Sequence, residues 1–265
     1  MGLYRDVFAE QRKLSRDIPD QLPHIEGGQV SFRLEEGRLL VEPDELKVDY
    51  SILKEIVREL GEVLKKRSET PVENMDAFIA EELDDEARLG DLVGAFLRRD
   101  EEEFSNLAQG YTLDPALLYM LLHLSLAPFF WKMAGTLARK ADLDQVPRGE
   151  CPVCGDLPIM GFLRLEDGLR VLECSLCATR WGFPRIMCPF CRTTEQSKLK
   201  YIFADGDDSR RVYLCDSCGK YIKVSSSPGE KDEDFVLALE DLATAHLDLA
   251  AEERGYERGC RTVFS

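Results

Sequence analysis

The stretch CPVCGDLPIMGFLRLEDGLRVLECSLC, residues 151–177, decides the fold together with CPFCRTTEQSKLKYIFADGDDSRRVYLCDSC, residues 188–218. The two segments carry four Cys-x-x-Cys pairs: Cys151/Cys154, Cys174/Cys177, Cys188/Cys191 and Cys215/Cys218. The pairs are separated by 19, 10 and 23 residues. Two residues between cysteines make a tight turn that aims both sulfurs at one ion. Four thiolates at about 2.3 Å then complete a tetrahedron. Two such knuckles roughly 15–20 residues apart are the zinc-ribbon pattern.

The residues between knuckles support this reading. MGFLRL and LRVLEC flank Glu166-Asp167-Gly168, and KLKYIFA and RRVYLC flank DGDDS. Asp-Gly between alternating residues is a hairpin signal. Each unit therefore reads knuckle, hairpin, knuckle, which pairs Cys151/Cys154 with Cys174/Cys177 and Cys188/Cys191 with Cys215/Cys218. Nesting the two central pairs inside the outer ones would separate each hairpin from its own metal. Gly155 and Gly219 directly follow a knuckle, where a positive φ is often needed. Thiol–disulfide centres are the competing interpretation, because Cys-Pro-Val-Cys and Cys-Pro-Phe-Cys look like redox pairs. Redox motifs usually occur singly ahead of a helix, so two matched sets with hairpins favour metal. A tetrahedral four-sulfur site suits zinc and also a single iron. The expectation is two metal ions per chain, Zn2+ or Fe.

Outward from the cysteines the chain reads as helix. Leu46, Tyr50, Leu53, Val57, Leu60 and Leu64 make one apolar face over Asp44 to Lys66, entered through Pro43-Asp44. Phe78, Leu83, Leu89, Val93 and Leu97 form a second stripe, in two pieces. Asp114-Pro115 is an N-cap followed by proline at the first helical position. The run after it, ALLYMLLHLSLAPFFWKMAGTLARK, is apolar nearly all round and belongs in the centre of a bundle, with Pro128 kinking or splitting it. Residues 22–42 carry glycines and prolines and read as a loop with a short hairpin. Asp142 to Glu150 reads as a linker, and SSSPGEKDED as a flexible connection. In the last helix Phe235, Leu239, Leu242 and Leu249 line the face expected to be buried.

Together these features predict an α+β chain. It comprises an acidic helical bundle over 1–148, a first four-cysteine unit over 149–187 and a second over 188–228. A C-terminal helix over 229–265 is expected to pack on the bundle. The two middle units are tandem zinc-ribbon or rubredoxin-like β units.

Charge bears on partners. The net charge is −16, which argues against broad binding to nucleic acid or anionic membrane. Residues 151–223 hold eleven Lys and Arg against nine Asp and Glu. Eight thiolates around two divalent ions add about −4, leaving the module near −2, where a nucleic-acid-binding ribbon should be clearly basic. A local basic patch through Arg164, Arg170, Arg180, Arg185, Arg210 and Arg211 competes with a solvated strand face, and the latter is favoured. No run of about 18 apolar residues is seen, so no membrane insertion is expected. MGLYRDVFAEQRKL lacks the apolar core of a secretory signal, which points to the reducing cytoplasm.

No phosphate loop, G-x-S-x-G or HExxH is present, so no catalytic residues and no organic-cofactor site are assigned. His24, His123 and His246 are the histidines, and His123 inside LLHLSL reads as a core residue. Trp131 and Trp181 read as packing residues, and Cys260 as a free thiol.

The strings CPVCGDLP, LECSLCATRW, CPFC and CDSCGKYIK, in this order, with the final EDLATAHLDLAAEERGYERG, resemble the FdhE family of formate dehydrogenase accessory proteins. The resemblance covers about 151–259 in detail. It implies a non-enzymatic, cytoplasmic maturation factor that binds the catalytic subunit of a formate dehydrogenase. It also implies rubredoxin-like metal centres, which admit iron as well as zinc, with Cys151, Cys154, Cys174, Cys177, Cys188, Cys191, Cys215 and Cys218 as ligands. Two positions depart from the family: Gly182 stands where a histidine often follows the tryptophan, and Cys260-Arg-Thr-Val-Phe-Ser replaces an Asn-Pro-Phe-like tail. The alternatives from other classes are a nucleic-acid-associated zinc-ribbon factor and a thiol or iron redox protein acting on the client.

Overall fold

The computed structural model describes residues 2–16, 18–19, 27–42, 45–67, 74–226 and 237–260. Its N-terminal half contains α1 (Gly2–Leu14), α2 (Gly27–Glu35), α3 (Tyr50–Arg67), α4 (Met75–Asp84), α5 (Glu86–Arg98), α6 (Glu101–Gly110) and α7 (Pro115–Leu137). Then follow β1 (Pro158–Leu163), β2 (Arg170–Cys174), β3 (Arg180–Phe183), β4 (Leu199–Ala204), β5 (Asp207–Cys215) and β6 (Lys220–Ser226). The chain closes with α8 (Leu237–Ala243), α9 (Ala245–Glu252) and the short β7 (Glu257–Arg258). Two compact units result: residues 1–24 with 41–133, and residues 25–40 with 134–265. The expected boundary at 148/149 is thus replaced by a discontinuous one.

The first unit is helical, as its apolar spacing predicts. α3 buries Leu53, Ile56, Val57, Leu60 and Leu64. It starts at Tyr50 and not near Asp44, because Asp49 is the residue that caps it. The Asp49 carboxylate accepts hydrogen bonds from the Ser51 and Ile52 N–H groups at 3.0 and 3.3 Å. Positions 43 and 44 lie outside the described residues. The second stripe does form two pieces, broken at Asp85, whose carboxylate caps α5 through the Ala87 N–H at 2.8 Å. α7 begins where predicted, with Asp114 accepting from the Ala116 N–H at 2.8 Å. Pro128 lies inside α7, which continues through it without splitting. Contrary to expectation, Pro115–Lys140 is long and apolar enough to cross a membrane, yet 72% of its most apolar window is buried inside the protein. The Gln11 side chain donates to the Leu124 carbonyl at 2.7 Å and ties α1 to α7. His123 is a core residue, with its ring centroid 6.1 Å from Phe96 and 6.0 Å from Tyr119.

The second unit is built on one sheet of order β3-β2-β1-β6-β5-β4, with β7 added beside β6. β1, β2 and β3 belong to the first cysteine ribbon, and β4, β5 and β6 to the second. Each ribbon is an antiparallel three-stranded piece. The ribbons are fused by a parallel joint, with Gly161 opposite Val224 and Leu163 opposite Ser226. The joint is head to tail: the first strand of one ribbon meets the third strand of the other. The two four-cysteine units expected as successive domains therefore share a single sheet.

One face of this sheet is covered by the C-terminal helices. Leu237 of α8 packs with Ile159, Met160, Phe162 and Val171. Leu247 and Ala251 of α9 pack with Val212, Leu214 and Tyr221. The single final helix expected to pack on the bundle is instead two short helices packed on the sheet of their own unit. The expected buried face is also corrected. Leu239 and Leu249 are exposed, while Glu240, Asp241 and Thr244 are buried. The cause is electrostatic. Glu240 receives the Arg210 guanidinium at 2.6 Å. Asp241 receives the Lys223 ammonium at 2.9 Å and Arg258 at 2.5 Å. Phe235 and the connection through residue 236 lie outside the described residues.

The segment expected to be a loop with a hairpin contains helix α2. Gly37 (φ +69°) ends it: the Arg38 N–H donates to the Arg33 carbonyl at 2.8 Å and the Gly37 N–H to the Leu34 carbonyl at 3.1 Å. This closure is a helix C-cap, so the glycine serves as a stop signal and not as a hairpin turn.

Candidate metal centres

All four knuckles close in the same way. The N–H four residues after the first cysteine donates back to that cysteine's carbonyl: Gly155 to Cys151, Ala178 to Cys174, Arg192 to Cys188 and Gly219 to Cys215, at 2.8–3.2 Å. All four donors have positive φ, from 56° to 77°. Glycine meets this requirement freely at 155 and 219, whereas Ala178 and Arg192 adopt it at a steric cost. Arg192→Gly is expected to raise stability by about 0.5–1 kcal/mol in a denaturant titration of metal-loaded protein.

The turns gather the sulfurs into the two groups paired from spacing: Cys151, Cys154, Cys174 and Cys177, and Cys188, Cys191, Cys215 and Cys218. Within each group the ligand atoms lie within 4.8 Å of one another. Cys151 and Cys177 sulfurs are 3.5 Å apart, Cys154 and Cys174 3.4 Å, Cys188 and Cys218 3.8 Å, and Cys191 and Cys215 3.6 Å. Four sulfurs about 2.3 Å from one ion stand about 3.8 Å apart, so each group can hold a tetrahedral ion. Bonded sulfurs would be about 2.05 Å apart, which none of these pairs approaches.

The protonation pattern shows why a cation belongs there. Burial raises Cys154, Cys174 and Cys177. Burial acts on Cys151 in the same sense, but hydrogen bonds from Cys154, Cys174 and Cys177 outweigh it and hold its thiol low. One thiolate is thus favoured at the expense of its neighbours. A divalent cation opposes both the burial and the mutual repulsion that raise the other thiols. Backbone N–H groups also face the sulfurs, as from Val153 to Cys151 at 3.4 Å and from Cys177 to Cys174 at 3.5 Å.

The groups differ in their surroundings. The first is covered by the segment after α2: the Leu40 N–H donates to the Pro152 carbonyl at 2.9 Å, and Leu39 lies against Gly155. The linker completes the cover, with the Trp181 indole donating to the Arg148 carbonyl at 2.8 Å and Arg148 to the Gly37 carbonyl at 2.9 Å. Gly182 follows from this packing. A Cβ there would sit 2.5 Å from the Asp144 carbonyl oxygen, so the backbone course of the linker excludes a histidine at this position.

In the second group Cys191 is exposed and Cys218 half-buried. Its first knuckle rests on two glycines, Gly149, which the sequence marks only as part of a linker, and Gly259. A Cβ on Gly149 would meet the Pro189 carbonyl oxygen at 1.8 Å, and one on Gly259 would meet the Phe190 ring at 2.0 Å. Beside this group Arg170 is buried, donating to the Pro184 and Met187 carbonyls, with its guanidinium 5.0 Å from the Phe183 ring. Burial pulls its pKa down to about 10. A chelator is expected to strip the second group before the first, followed by metal-release kinetics, and alkylation mapped by mass spectrometry should mark Cys191 first.

The remaining candidates stay apart from both groups. Cys260 is buried with its thiol 3.8 Å from the Leu157 carbonyl, and burial pushes it up to about 12. His246 is exposed, and His24 lies outside the described residues.

Two four-sulfur ribbons fused in one sheet beneath two short helices define a tandem ribbon protein with metal-binding cysteine clusters. Residues 150–185 match the model of the FdhE central domain and residues 186–264 that of the FdhE C-terminal domain. The chain thus resembles the FdhE family over residues 150–264. It is 37% identical over 152 residues to the FdhE homolog of Pectobacterium atrosepticum, a match spanning 52% of this chain and 47% of that protein. It is 33% identical over 150 residues to FdhE of Escherichia coli O9:H4, with the same coverage. These matches thus span about half the length of the relatives. In fold, it resembles the crystal structure of FdhE from Pseudomonas aeruginosa, with TM-score 0.64 and 24% identity over 97% of this chain and 86% of that one.

Proposed function

We propose that this chain is an accessory protein for a formate dehydrogenase. It binds the catalytic subunit of that enzyme in the cytoplasm during maturation and catalyses no reaction itself. Two metal ions, zinc or iron, stabilise the ribbons through Cys151, Cys154, Cys174 and Cys177 and through Cys188, Cys191, Cys215 and Cys218. The observation that carries this reading is the succession of two four-sulfur groups through the FdhE central and C-terminal domains. The metals set the ribbon geometry, and the ribbon surface holds the client. Deleting the gene is expected to abolish formate dehydrogenase activity, and the tagged protein to retain the catalytic subunit in a pull-down. Unchanged activity together with no retained subunit would overturn the reading.

Exposure of Cys191 favours one second reading, in which the second group holds iron and passes electrons to the client. Anaerobically purified protein would then be red, with rubredoxin-like absorption. Colourless protein carrying two zinc ions would reject it.

A further inference from the structure

The two ends of the sheet are not equivalent. At one end the outer side of β3 is occupied by the linker, since the Gly182 N–H donates to the Leu143 carbonyl at 3.1 Å. At the other end β4 pairs only with β5 among the described residues. β4 is the first strand of the second ribbon, the counterpart of β1. The edge that β4 leaves open corresponds to the edge on which β1 takes β6 as a parallel neighbour. The molecule therefore already contains an example of a strand added to this edge.

The surface beside the open edge is apolar and cationic. Tyr201 and Phe203 are 52% and 47% exposed, with ring centroids 6.2 Å apart. Tyr213 lies 5.9 Å from Tyr201, and the Arg211 guanidinium sits 5.0 Å from the Tyr201 ring. Exposed aromatic and arginine side chains in one patch are a signature of protein interfaces. Next to them a cleft opens at the second sulfur group. Arg170, Arg185, Lys200 and Lys220 line it beside Cys188 and Cys215, and no carboxylate does among the described residues. Among the described residues the buried Arg170 Nε has no hydrogen-bond partner. Lys200 is paired with Asp216 at 2.6 Å. Four thiolates around a divalent ion carry about −2, so the cleft stays net positive in a chain whose net charge is −16.

We propose that the β4 edge and this cleft form one docking groove for an extended, carboxylate-bearing segment of a partner protein, which joins the sheet as an added strand. Backbone hydrogen bonds along β4 supply affinity, and acidic side chains reaching Arg185 and its neighbours supply selectivity. A polypeptide fits better than a nucleic acid. Only a polypeptide satisfies an open strand edge, and the charge of the whole chain repels a polyanion. The identity of the partner as a dehydrogenase subunit rests on the function proposed above; the groove does not.

The test uses metal-loaded full-length protein and a capped peptide of alternating Asp and Val, about eight residues long to match a strand. The acidic peptide is expected to bind and to weaken with salt. A Lys-Val peptide and a backbone N-methylated acidic peptide are expected not to bind. The double variant Arg185→Glu/Phe203→Glu should lose at least about tenfold in affinity while keeping both metals. Equal binding of acidic and basic peptides, undiminished binding by the variant, or tighter binding of an oligothymidylate would overturn the proposal. Metal release from the variant would assign these side chains to the sulfur group and overturn it as well. The catalytic subunit of the organism's formate dehydrogenase is measured in parallel. If it binds parent and variant equally, the groove is wrong and the accessory role stands. If it binds neither while the acidic peptide binds the parent, the accessory role is wrong and the groove stands.

Discussion

Cys151→Ser is expected to bind one metal ion where the parent binds two, the ion that remains being held by Cys188, Cys191, Cys215 and Cys218. Structural zinc contributes about 10–16 kcal/mol to small ribbons, more than the net stability of a typical domain. Cys151, Cys174 and Cys177 are themselves buried in the first ribbon, so a serine there leaves the remaining thiols buried without their ion. Metal analysis should therefore show the stoichiometry halved, and hydrogen exchange should show β1, β2 and β3 losing protection. The parallel joint carries the damage further. β6 loses β1 as a neighbour along Val224 to Ser226, so its amides are expected to exchange faster although its own sulfur group is intact. Retention of both metals with unchanged protection would show that the sulfurs are not held as two groups of four.

Asp241→Ala is expected to cost about 3–5 kcal/mol, because it leaves buried cations short of a partner. Lys223 and Asp241 each have side chains 1% exposed, with ammonium and carboxylate 2.9 Å apart. Arg258 reaches the same carboxylate at 2.5 Å, and Asp248 takes Lys223 at 2.6 Å and Arg258 at 3.3 Å. Two cations and two carboxylates thus close the seam between β6, β7, α8 and α9, and the Tyr221 hydroxyl donates to Asp248 at 3.0 Å. Removing Asp241 leaves two buried cations to share one carboxylate. Urea unfolding of metal-loaded protein measures the loss. Asp241→Asn, which keeps the shape and a carbonyl acceptor, should lie between the two. A loss below about 1 kcal/mol would mean that the seam is held by its apolar contacts and not by the charges.

These two sites also mark where sequence is and is not readable. The sulfur groups were legible because a Cys-x-x-Cys turn is local and the hairpins between turns carry their own signals. The pairing of knuckles followed from the same local units. The α4/α5 break and the start of α7 were legible for a similar reason, since Asp85 and Asp114 cap their own helices. The ion-paired seam was not legible. Glu240 and Asp241 look like solvent-facing helix residues until Arg210, Lys223 and Arg258 arrive from β5, β6 and β7. That reversed the face assigned to the last helix and hid its division at Thr244. Gly149 and Gly259 were equally silent, because what excludes a side chain there is a knuckle distant in sequence. The glycines around α2 were read as turns, although Gly37 is a helix stop. The joint between ribbons was hidden too, because parallel pairing leaves no turn to mark it.

The discontinuity of the second unit has a consequence for biosynthesis. The segment bearing α2 leaves the ribosome early, yet the carbonyl of Gly37 meets the Arg148 guanidinium only across 111 residues of chain. The first unit, ending at residue 133, can be complete before any cysteine is made. During that interval the Leu40 N–H lacks the Pro152 carbonyl to which it donates in the folded chain. The cover of the first sulfur group is thus synthesised first and docked late.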